Sequence, residues 1–472
     1  MKHLCLIVFS ALMAVSSACA PLNPRLERYD PTVGYRFGNL SAKENADELF
    51  VVLAFSGGGT RAAAFSYGVL NALNETPLPG SQGKRTLLDE VDVISSVSGG
   101  SFTAAYYGLF GDRIFEDFEE QFLKKNIQLR LIFHLLYPWN WFKLMSPSYS
   151  RIDIAAEYYS DHIFGDATFG DLVERGRRPF IIINASDLSL GTRFEFTQRQ
   201  FDMLGSDLSK IPVASAVAAS SAFPGLLSPM AFTNYRKVGF EEPAWVGNAI
   251  ENPKEISPSR YKRAKIIRSY FDHKARPYVH LVDGGVVDNL GLTGALLGSL
   301  KSSDFNISRQ FEFLNDVKEY NLLSMINDGR IRRLVVIIVD AMPDLNMELD
   351  ESRSTPGLIS VIDRVASIPM REVTFRIAKE GWRELTSLET KHDTHHGEMN
   401  GQDKSSNHFE AYWIHLRFDE LEDEGRRKRL GKMKTNFDLS SRKVKDLISA
   451  GGELLEGSKG FKQLLSDLKS SQ

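Results

Sequence analysis

A run of small residues at 93–101, VISSVSGGS, contains the serines from which a nucleophile could be made. An apolar strand ends in this run, and the segment 102–110 predicts a helix directly after it. A turn between strand and helix lifts a serine hydroxyl off the backbone, provided that the residues two positions away are small. Ser98 fits this spacing best, with Gly100 at +2 and Ser96 in place of the usual glycine at −2. The pattern predicts Ser98 as a nucleophile, and an ordinary serine-rich turn is the alternative.

A second stretch, FVVLAFSGGGTR, predicts a buried strand, three glycines and then a helix over 62–73. Glycines at a helix N-terminus let backbone amides converge on an anion. We therefore expect Gly57, Gly58 and Gly59 to form an oxyanion loop. The alternative is a nucleotide-binding loop, because a loose dinucleotide fingerprint, Gly57-x-Gly59-x-x-Ala62, is also present. No Gly-Lys-Ser/Thr follows, which excludes a Walker loop.

Arg61 is unexpected in the first turn of that helix, since a cation there opposes the helix dipole. We expect it to have a partner, which could be a loop carbonyl, a carboxylate or a substrate phosphate.

Asp283 closes the apolar run YVHLVD and is followed by Gly284 and Gly285. Catalytic groups of α/β sheets lie at the carboxyl ends of strands, so Asp283 is a candidate base. A free aspartate, with a pKa of about 3.9, is a poor base near neutrality. We therefore expect burial to raise the pKa of Asp283. The alternative is a turn-forming aspartate before two glycines.

In this order the glycine loop, the serine turn and the Asp-Gly-Gly resemble the patatin-like phospholipases. Two further blocks match that family, ASSAFPG at 219–225 and IIINASD at 181–187, and the resemblance covers roughly residues 48–345. It implies a mostly parallel central sheet flanked by helices and hydrolysis of membrane-lipid esters, of phospholipase A or lysophospholipase type. It also implies a Ser-Asp dyad without a metal or organic cofactor. The residues carried over are Ser98 and Asp283 for catalysis, Gly57, Gly58 and Gly59 for the oxyanion, and Arg61, Gly100, Gly284 and Gly285 in support.

Two other functions stay open. A Ser-His-Asp esterase would need a histidine, and His280, His408 and His415 are the candidates. We expect His280 to be a core residue instead, because it lies in the middle of a strand. The remaining alternative is a catalytically silent lipoprotein that binds lipid.

Five apolar runs, at 48–55, 91–95, 179–184, 277–282 and 333–340, alternate with helical segments. Such alternation predicts a mostly parallel α/β sheet covered on both faces. We expect one catalytic domain over 48–345 and a mainly helical extension over 346–472 that packs on it.

The first twenty residues predict a signal peptide, because a charged start precedes an apolar segment too short to span a bilayer. SSAC at 16–19 resembles a bacterial lipobox, which favours lipid attachment at Cys19 over cleavage after Ala20. Residues 21–47 are then interpreted as a polar tether. These features predict an exported lipoprotein of the bacterial cell envelope, on the periplasmic or outer-membrane surface, rather than a secreted protein.

The chain of 472 residues has a net charge of −3 and two cysteines. This balance gives no reason to expect nucleic acid as a partner. Removal of the signal peptide leaves at most one cysteine, so neither a disulfide framework nor a thiolate metal site is expected. The sequence gives no prediction of oligomeric state.

Three further segments carry predictions. Residues 114–133 predict an amphipathic helix. The aromatic cluster at 135–145 is interpreted as core, with a lid or acyl-chain wall as the alternative.

The basic stretch 254–276 predicts a solvated helix face, with a contact for anionic headgroups as the alternative. Residues 359–388 predict a helix, and a polar loop over 391–408 contains His392, His395, His396 and His408, with no surrounding helix to support a zinc site. Terminal helices over 439–468 are expected to break at Gly451 and Gly452.

Overall fold

An eight-stranded sheet forms the centre of the molecule. The computed structural model describes residues 23–41, 48–146, 149–223, 227–236, 239–293, 325–326, 329–344, 350, 353–355, 357–399 and 408–470. The strands are β1 (Leu49–Phe55), β2 (Val91–Val97), β3 (Phe180–Asp187), β4 (Thr192–Glu195), β5 (Met230–Thr233), β6 (Tyr278–Asp283), β7 (Arg333–Asp340) and β8 (Glu410–Arg417). Their order is β5-β6-β3-β2-β1-β7-β8, and β4 also pairs with β3.

The strands β3, β2, β1, β7 and β8 are parallel to one another. Every residue of β1, β2 and β3 is buried, as expected for strands covered on both faces. The predicted fold class, a mostly parallel sheet flanked by helices, is confirmed. The strand β6 is an exception, because it runs antiparallel to both β3 and β5.

Helices cover the sheet and extend beyond residue 345. They are α1 (Gly59–Glu75), α2 (Gly99–Phe110), α3 (Ile114–Phe118), α4 (Ile127–Leu136), α5 (Pro138–Leu144), α6 (Arg151–Tyr159), α7 (Phe169–Arg175), α8 (Gln198–Leu204), α9 (Val213–Ser220), α10 (Ala244–Glu251), α11 (Pro258–Phe271), α12 (Leu358–Met399), α13 (Glu424–Gly431), α14 (Ser441–Gly457) and α15 (Lys459–Ser470). Within the described ranges, none of these helices combines the length and apolar composition that crossing a bilayer requires.

The C-terminal segment is part of the same structure as the predicted catalytic domain. Its strand β8 pairs along its whole length with β7, and α14 packs against α1. The expected break at Gly451 is wrong, because α14 continues through it. A Cβ at Gly451 would lie 2.7 Å from the Phe65 oxygen, and one at Gly68 would lie 2.1 Å from the Ile448 oxygen. The two glycines therefore allow the helices to approach closely.

Helix α12 also runs further than the sequence predicted. It continues to Met399, so residues 391–399, which contain His392, His395 and His396, belong to a helix and not to a polar loop. Residues 400–407 lie outside the described residues.

The predicted tether differs from the structure over residues 23–41, which pack on the domain. Tyr35 is buried, donates its hydroxyl to the Ile181 oxygen and accepts the Ile181 amide, at 3.1 and 2.8 Å. Arg36 makes a buried ion pair with Asp202 at 2.7 Å. Polar and charged residues misled the prediction here, because these side chains find partners inside the fold. Residues 1–22, including Cys19, and 42–47 lie outside the described residues.

Two predictions fail in the segment between α2 and α6. The single helix expected over 114–133 is divided into α3, a π-helical turn at 119–123 and α4. The aromatic cluster at 135–145 is not core, since its large side chains are mostly exposed.

The basic stretch 254–276 is less solvated than predicted. Arg263 is partly buried, and desolvation lowers its pKa to about 10. Arg268 pairs with Glu242, and Arg276 pairs with the buried Asp187. Lys262 and Lys265 remain exposed. Much of the positive charge in α11 and after it is therefore used within the fold.

Candidate active site

Ser98 lies in the sharp turn between β2 and α2. Its φ of 49° and ψ of −118° place a non-glycine residue in a strained region of backbone space. Small neighbours make the turn possible. A Cβ at Gly100 would lie 2.8 Å from the Phe55 oxygen, and one at Gly99 would lie 2.0 Å from the Gly59 oxygen. The turn therefore has the geometry of a nucleophile elbow, with a serine at position −2.

The Ser98 hydroxyl donates a hydrogen bond of 2.8 Å to Oδ2 of Asp283. Both side chains are nearly inaccessible, with 6% and 5% of their surface exposed. A hydroxyl bonded to a carboxylate in this way can pass its proton to the carboxylate as its oxygen attacks a carbonyl carbon.

Asp283 reaches Ser98 across the end of β3. Asp283 on β6 pairs with Ala185 on β3. The residue before Ala185, Asn184, pairs on the other side of β3 with Val97, which immediately precedes Ser98. The chain after Asp283 must then pass directly over β3, because a Cβ at Gly284 would lie 2.3 Å from the Asn184 oxygen. Asp283 thus reaches the predicted position, but from an antiparallel strand.

Burial raises the pKa of Asp283 to about 6. Two hydrogen bonds oppose this shift by stabilising the charged form, one from the Gly285 amide at 2.8 Å and one from the Ser98 hydroxyl. Desolvation is the larger effect. The carboxylate is therefore ionised at neutral pH and remains a stronger base than a free aspartate.

The glycine loop lies beside Ser98, since a Cβ at Gly57 would be 3.4 Å from the Ser98 Cβ. Not all of its amides are available. Gly57 donates its amide to the Asn289 oxygen at 3.1 Å, and Thr60 donates its amide to the Asn436 oxygen at 2.9 Å. Within the described chain, the amides of Gly58 and Gly59 make no such bond to another element. Of the three glycines expected in an oxyanion loop, Gly58 and Gly59 therefore remain as candidate donors, whereas the Gly57 amide is already occupied.

Arg61 does not serve the loop as a substrate-binding group. Its buried guanidinium donates to the Ala341 oxygen at 2.7 Å, to the Met433 oxygen, and to the Thr435 hydroxyl at 3.1 Å. Desolvation lowers its pKa to about 10, and the nearby Asp340 opposes the shift. Of the three expected kinds of partner, loop carbonyls are the ones found. Arg61 holds the start of α1 against the segments that follow β7 and α13.

Replacing Arg61 by methionine is expected to reduce the free energy of unfolding by about 3 kcal/mol, because buried carbonyl oxygens lose their donors. Chemical denaturation measures this loss, and the folded variant should keep most of its turnover. Arg113→Met is the matched control, since Arg113 is a surface residue paired with Asp117. A fully stable Arg61→Met enzyme that is roughly 10²–10³-fold slower would instead assign Arg61 to the oxyanion site.

Two residues that position the Ser98 turn, Ser220 and Asn184, lie in sequence blocks that could be recognised. Ser220, at the end of α9, accepts the Ser98 amide at 2.8 Å and donates to the Asn184 oxygen at 2.6 Å. The Asn184 side chain donates to the Ser95 hydroxyl and the Ser96 oxygen. Both residues lie in the blocks that resemble the family, but no role had been inferred for them. Pro224 and Gly225 of the first block lie outside the described residues.

Other contributions carried no sequence signal. The backbone of Asn436 lies against Gly59, where a Cβ would be 2.3 Å from the Asn436 oxygen. A Cβ at Gly285 would be 3.3 Å from the Met370 Cε, which places the Met370 methyl group beside the glycine that follows Asp283 and Gly284. Residues beyond 345 therefore border the site.

The candidate histidines lie away from the dyad. His415, on β8, interacts with Asp340 at 3.2 Å, and three strand spacings separate β8 from β2, or about 14 Å. His280 is exposed and not a core residue as expected, and His408 is exposed too. Among the described residues, no group of three or more His, Cys, Asp or Glu side chains is placed to hold a metal ion.

The model of the patatin-like phospholipase family matches residues 53–296, just over half of the chain. The chain therefore belongs to the patatin-like phospholipases, a family of lipid ester hydrolases.

Among solved structures, the chain is similar to human GIVD cytosolic phospholipase A2, with 12% identity and a TM-score of 0.41. The match covers 90% of this chain and 63% of that one. The same human protein in complex with methyl gamma-linolenyl fluorophosphonate matches with 14% identity, a TM-score of 0.39 and coverage of 90% and 60%. The chain thus spans less than two thirds of the length of that protein. A comparison with curated proteins found no match.

Proposed function

We propose that the protein hydrolyses carboxylic ester bonds of membrane lipids, as a phospholipase A or lysophospholipase, with Ser98 and Asp283 as its catalytic dyad. The observation that carries this proposal is the 2.8 Å hydrogen bond between the two side chains, made by a serine with a strained backbone at a strand-to-helix turn. Membership of a family of lipid ester hydrolases gives the reaction class.

In the proposed acylation step, Asp283 accepts the Ser98 proton while the Ser98 oxygen attacks the ester carbonyl carbon. The amides of Gly58 and Gly59 donate to the oxyanion of the tetrahedral intermediate. The intermediate collapses when the carbon–oxygen bond to the leaving alcohol breaks, and Asp283 returns the proton to that alcohol. Water then attacks the acyl-serine in the same way, which releases a fatty acid and restores Ser98.

The proposed nucleophile can be tested with a fluorophosphonate probe, which labels only an activated serine. The full chain is expected to be labelled at Ser98, located by peptide mass spectrometry, and Ser98→Ala is expected to stay unlabelled. A folded wild-type chain that takes up no label would favour a catalytically silent lipid-binding protein. Analysis of the fatty acids released from mixed phospholipids then identifies the substrate class.

The activity is expected to depend on pH through Asp283. Because the base must be ionised, kcat/KM should rise as the pH increases, reach half of its plateau near pH 6 and stay level above it. The measurement uses a soluble short-chain ester, whose own ionisation does not interfere. A profile that is already level at pH 4.5 would show that the catalytic base does not have the raised pKa expected of Asp283.

A Ser-His-Asp mechanism finds less support, since His415 is bound to Asp340 and His280 and His408 are exposed. If either His280→Ala or His415→Ala abolished turnover in a folded enzyme, that mechanism would replace the dyad.

We also propose that the protein is a lipoprotein of the bacterial cell envelope, attached through Cys19. The support is the sequence of residues 1–20 alone. Incorporation of a labelled fatty acid, and its loss in Cys19→Ser, tests the attachment.

A further inference from the structure

The helices α4 and α5 form a hairpin that presents a large apolar surface to solvent. The exposed fractions of Phe133, Trp139 and Phe142 are 63%, 68% and 69%. The exposed aromatic and aliphatic side chains around them include Leu136, Tyr137 and Trp141. Contiguous apolar surface of this kind marks a site of interaction with a protein or a membrane.

This surface is held in place by contacts within the fold. Ile127 and Leu131 are buried on the inner side of α4, and the Asn126 side chain caps that helix by accepting the Leu129 amide at 2.8 Å. The two helices are joined by polar contacts, because the Asn140 side chain donates to the His134 oxygen and the Trp141 ring nitrogen donates to the Leu135 oxygen. The apolar side chains are therefore held outward by specific internal contacts.

Charge identifies the partner. From Gln121 to Ile152 the sequence contains no aspartate or glutamate, whereas the whole chain has a net charge of −3. The basic residues in this segment are Lys124, Lys125, Arg130, Lys143 and Arg151. Lys124 pairs with Glu119 and Glu120 and Lys143 pairs with Glu157, so the charge available to headgroups comes from the other three. Tryptophan and tyrosine favour the boundary between headgroups and acyl chains, and basic residues favour anionic headgroups.

The hairpin is bordered by elements that reach the candidate active site. Phe122, just before α4, stacks on Phe102 of α2 with ring centroids 4.3 Å apart, and Phe102 lies about one helical turn after Ser98. After the hairpin, α6 packs against α9, whose Ser220 binds the Ser98 amide. The hairpin and the serine are thus linked through two packed helices.

We propose that the α4–α5 hairpin docks on the surface of an anionic lipid bilayer, with Trp139, Phe142 and their neighbours inserted between the headgroups. The role of the hairpin, which is to bring the dyad to its substrate, rests on the proposed function. The binding itself does not depend on catalysis. The hairpin is a surface device, since seven residues of α5 cannot span a bilayer.

The test is sedimentation with vesicles, using the full chain with Cys19→Ser to exclude a lipid anchor and Ser98→Ala to exclude turnover. The expected result is binding to phosphatidylcholine vesicles that contain phosphatidylglycerol. Trp139→Ser with Phe142→Ser should weaken it by roughly tenfold for each side chain removed. High salt should remove the preference for the anionic lipid over pure phosphatidylcholine.

The matched control is Phe375→Ser with Trp382→Ser, on helix α12. These side chains are 66% and 53% exposed, but they lie on a helix in which acidic residues (Glu372, Glu380 and Glu384) alternate with basic ones, unlike the segment that contains the hairpin. The control should bind vesicles as the unsubstituted chain does. Equal binding by the hairpin variant and the unsubstituted chain would overturn the proposal.

The same substitutions in the chain that keeps Ser98 separate this inference from the proposed function. Hydrolysis of a soluble short-chain ester should be unchanged, while hydrolysis of vesicle lipid should fall with binding. If the chain hydrolyses neither ester but shows hairpin-dependent binding, the proposed function fails and the docking surface stands. If the hairpin variant hydrolyses vesicle lipid at the full rate, the docking surface fails and the proposed function stands.

Discussion

Ser98→Ala is expected to lower ester turnover by roughly 10⁴-fold or more, because it removes the hydroxyl that becomes the acyl carrier. Ser98 is the residue that the turn holds on the Asp283 carboxylate, at 2.8 Å. The loss should appear in kcat on a soluble ester as well as on vesicles. Circular dichroism should remain that of the unsubstituted chain, while the denaturation midpoint should fall modestly, because the buried Asp283 carboxylate loses a hydrogen bond.

Ser96→Ala is the matched control for this prediction. Ser96 is also buried, two residues earlier, but its hydroxyl donates to the Ile182 oxygen at 3.2 Å and does not reach Asp283. Its loss should cost about 1 kcal/mol of stability and change turnover only slightly. If folded Ser98→Ala kept its activity, or if folded Ser96→Ala lost it, Ser98 would not be the nucleophile.

Asp283→Asn is expected to abolish turnover and to stabilise the fold at neutral pH. The pKa of Asp283 is raised to about 6 in the folded state, whereas an unfolded aspartate titrates near its ordinary value. The contribution of this group to stability is therefore full below the unfolded pKa and is lost as the pH rises through the folded one. A shift of about two pKa units corresponds to on the order of 3 kcal/mol above pH 7.

Urea denaturation between pH 4 and pH 8 measures this effect. The stability advantage of Asp283→Asn over the unsubstituted chain should grow from pH 4 to about pH 7 and then stay constant. Ser98→Ala is the control, because it is equally inactive but keeps the buried carboxylate. It should lose stability with rising pH at least as steeply as the unsubstituted chain, since the Ser98 hydrogen bond stabilises the charged carboxylate. An advantage that does not change with pH would mean that Asp283 is not held in a desolvated environment.

The two candidate catalytic residues could be predicted because the structure around each is specified locally. The turn at Ser98 requires small residues two positions away. The chain after Asp283 requires a glycine at 284, because a Cβ there would lie 2.3 Å from the Asn184 oxygen. Both requirements can be recognised in the sequence as a glycine or another small residue at a fixed position. The direction of β6 leaves no such trace, because an apolar run indicates burial of a strand and not the direction in which it runs.

Contacts made by backbone atoms from distant segments could not be predicted. The Asn436 oxygen binds the Thr60 amide, and the oxygens of Ala341 and Met433 bind Arg61. Every residue type has a backbone oxygen, so residue type gives no signal for such a contact. Only the cation at position 61 indicated that partners were needed.

Hydrophobicity misled the prediction at the α4–α5 hairpin for a related reason. Aromatic residues are favoured both in a core and at a lipid boundary, so their presence in 135–145 could not distinguish these environments. The absence of acidic residues from Gln121 to Ile152 is the feature that does distinguish them. It becomes apparent only when charge is counted over a longer segment than the aromatic cluster.

The packing of the N-terminal segment limits how the molecule could sit beneath an acyl anchor. Asn23 is buried, and its side chain exchanges hydrogen bonds of 2.9 and 2.7 Å with the backbone of Thr233 at the sheet edge. If Cys19 carries the anchor, four residue steps separate it from that fixed point, a reach of about 14 Å. So short a connection would leave the globular body little freedom to tumble or to reach a second membrane. The β5 edge of the sheet would then lie within that distance of the leaflet in which the anchor is embedded.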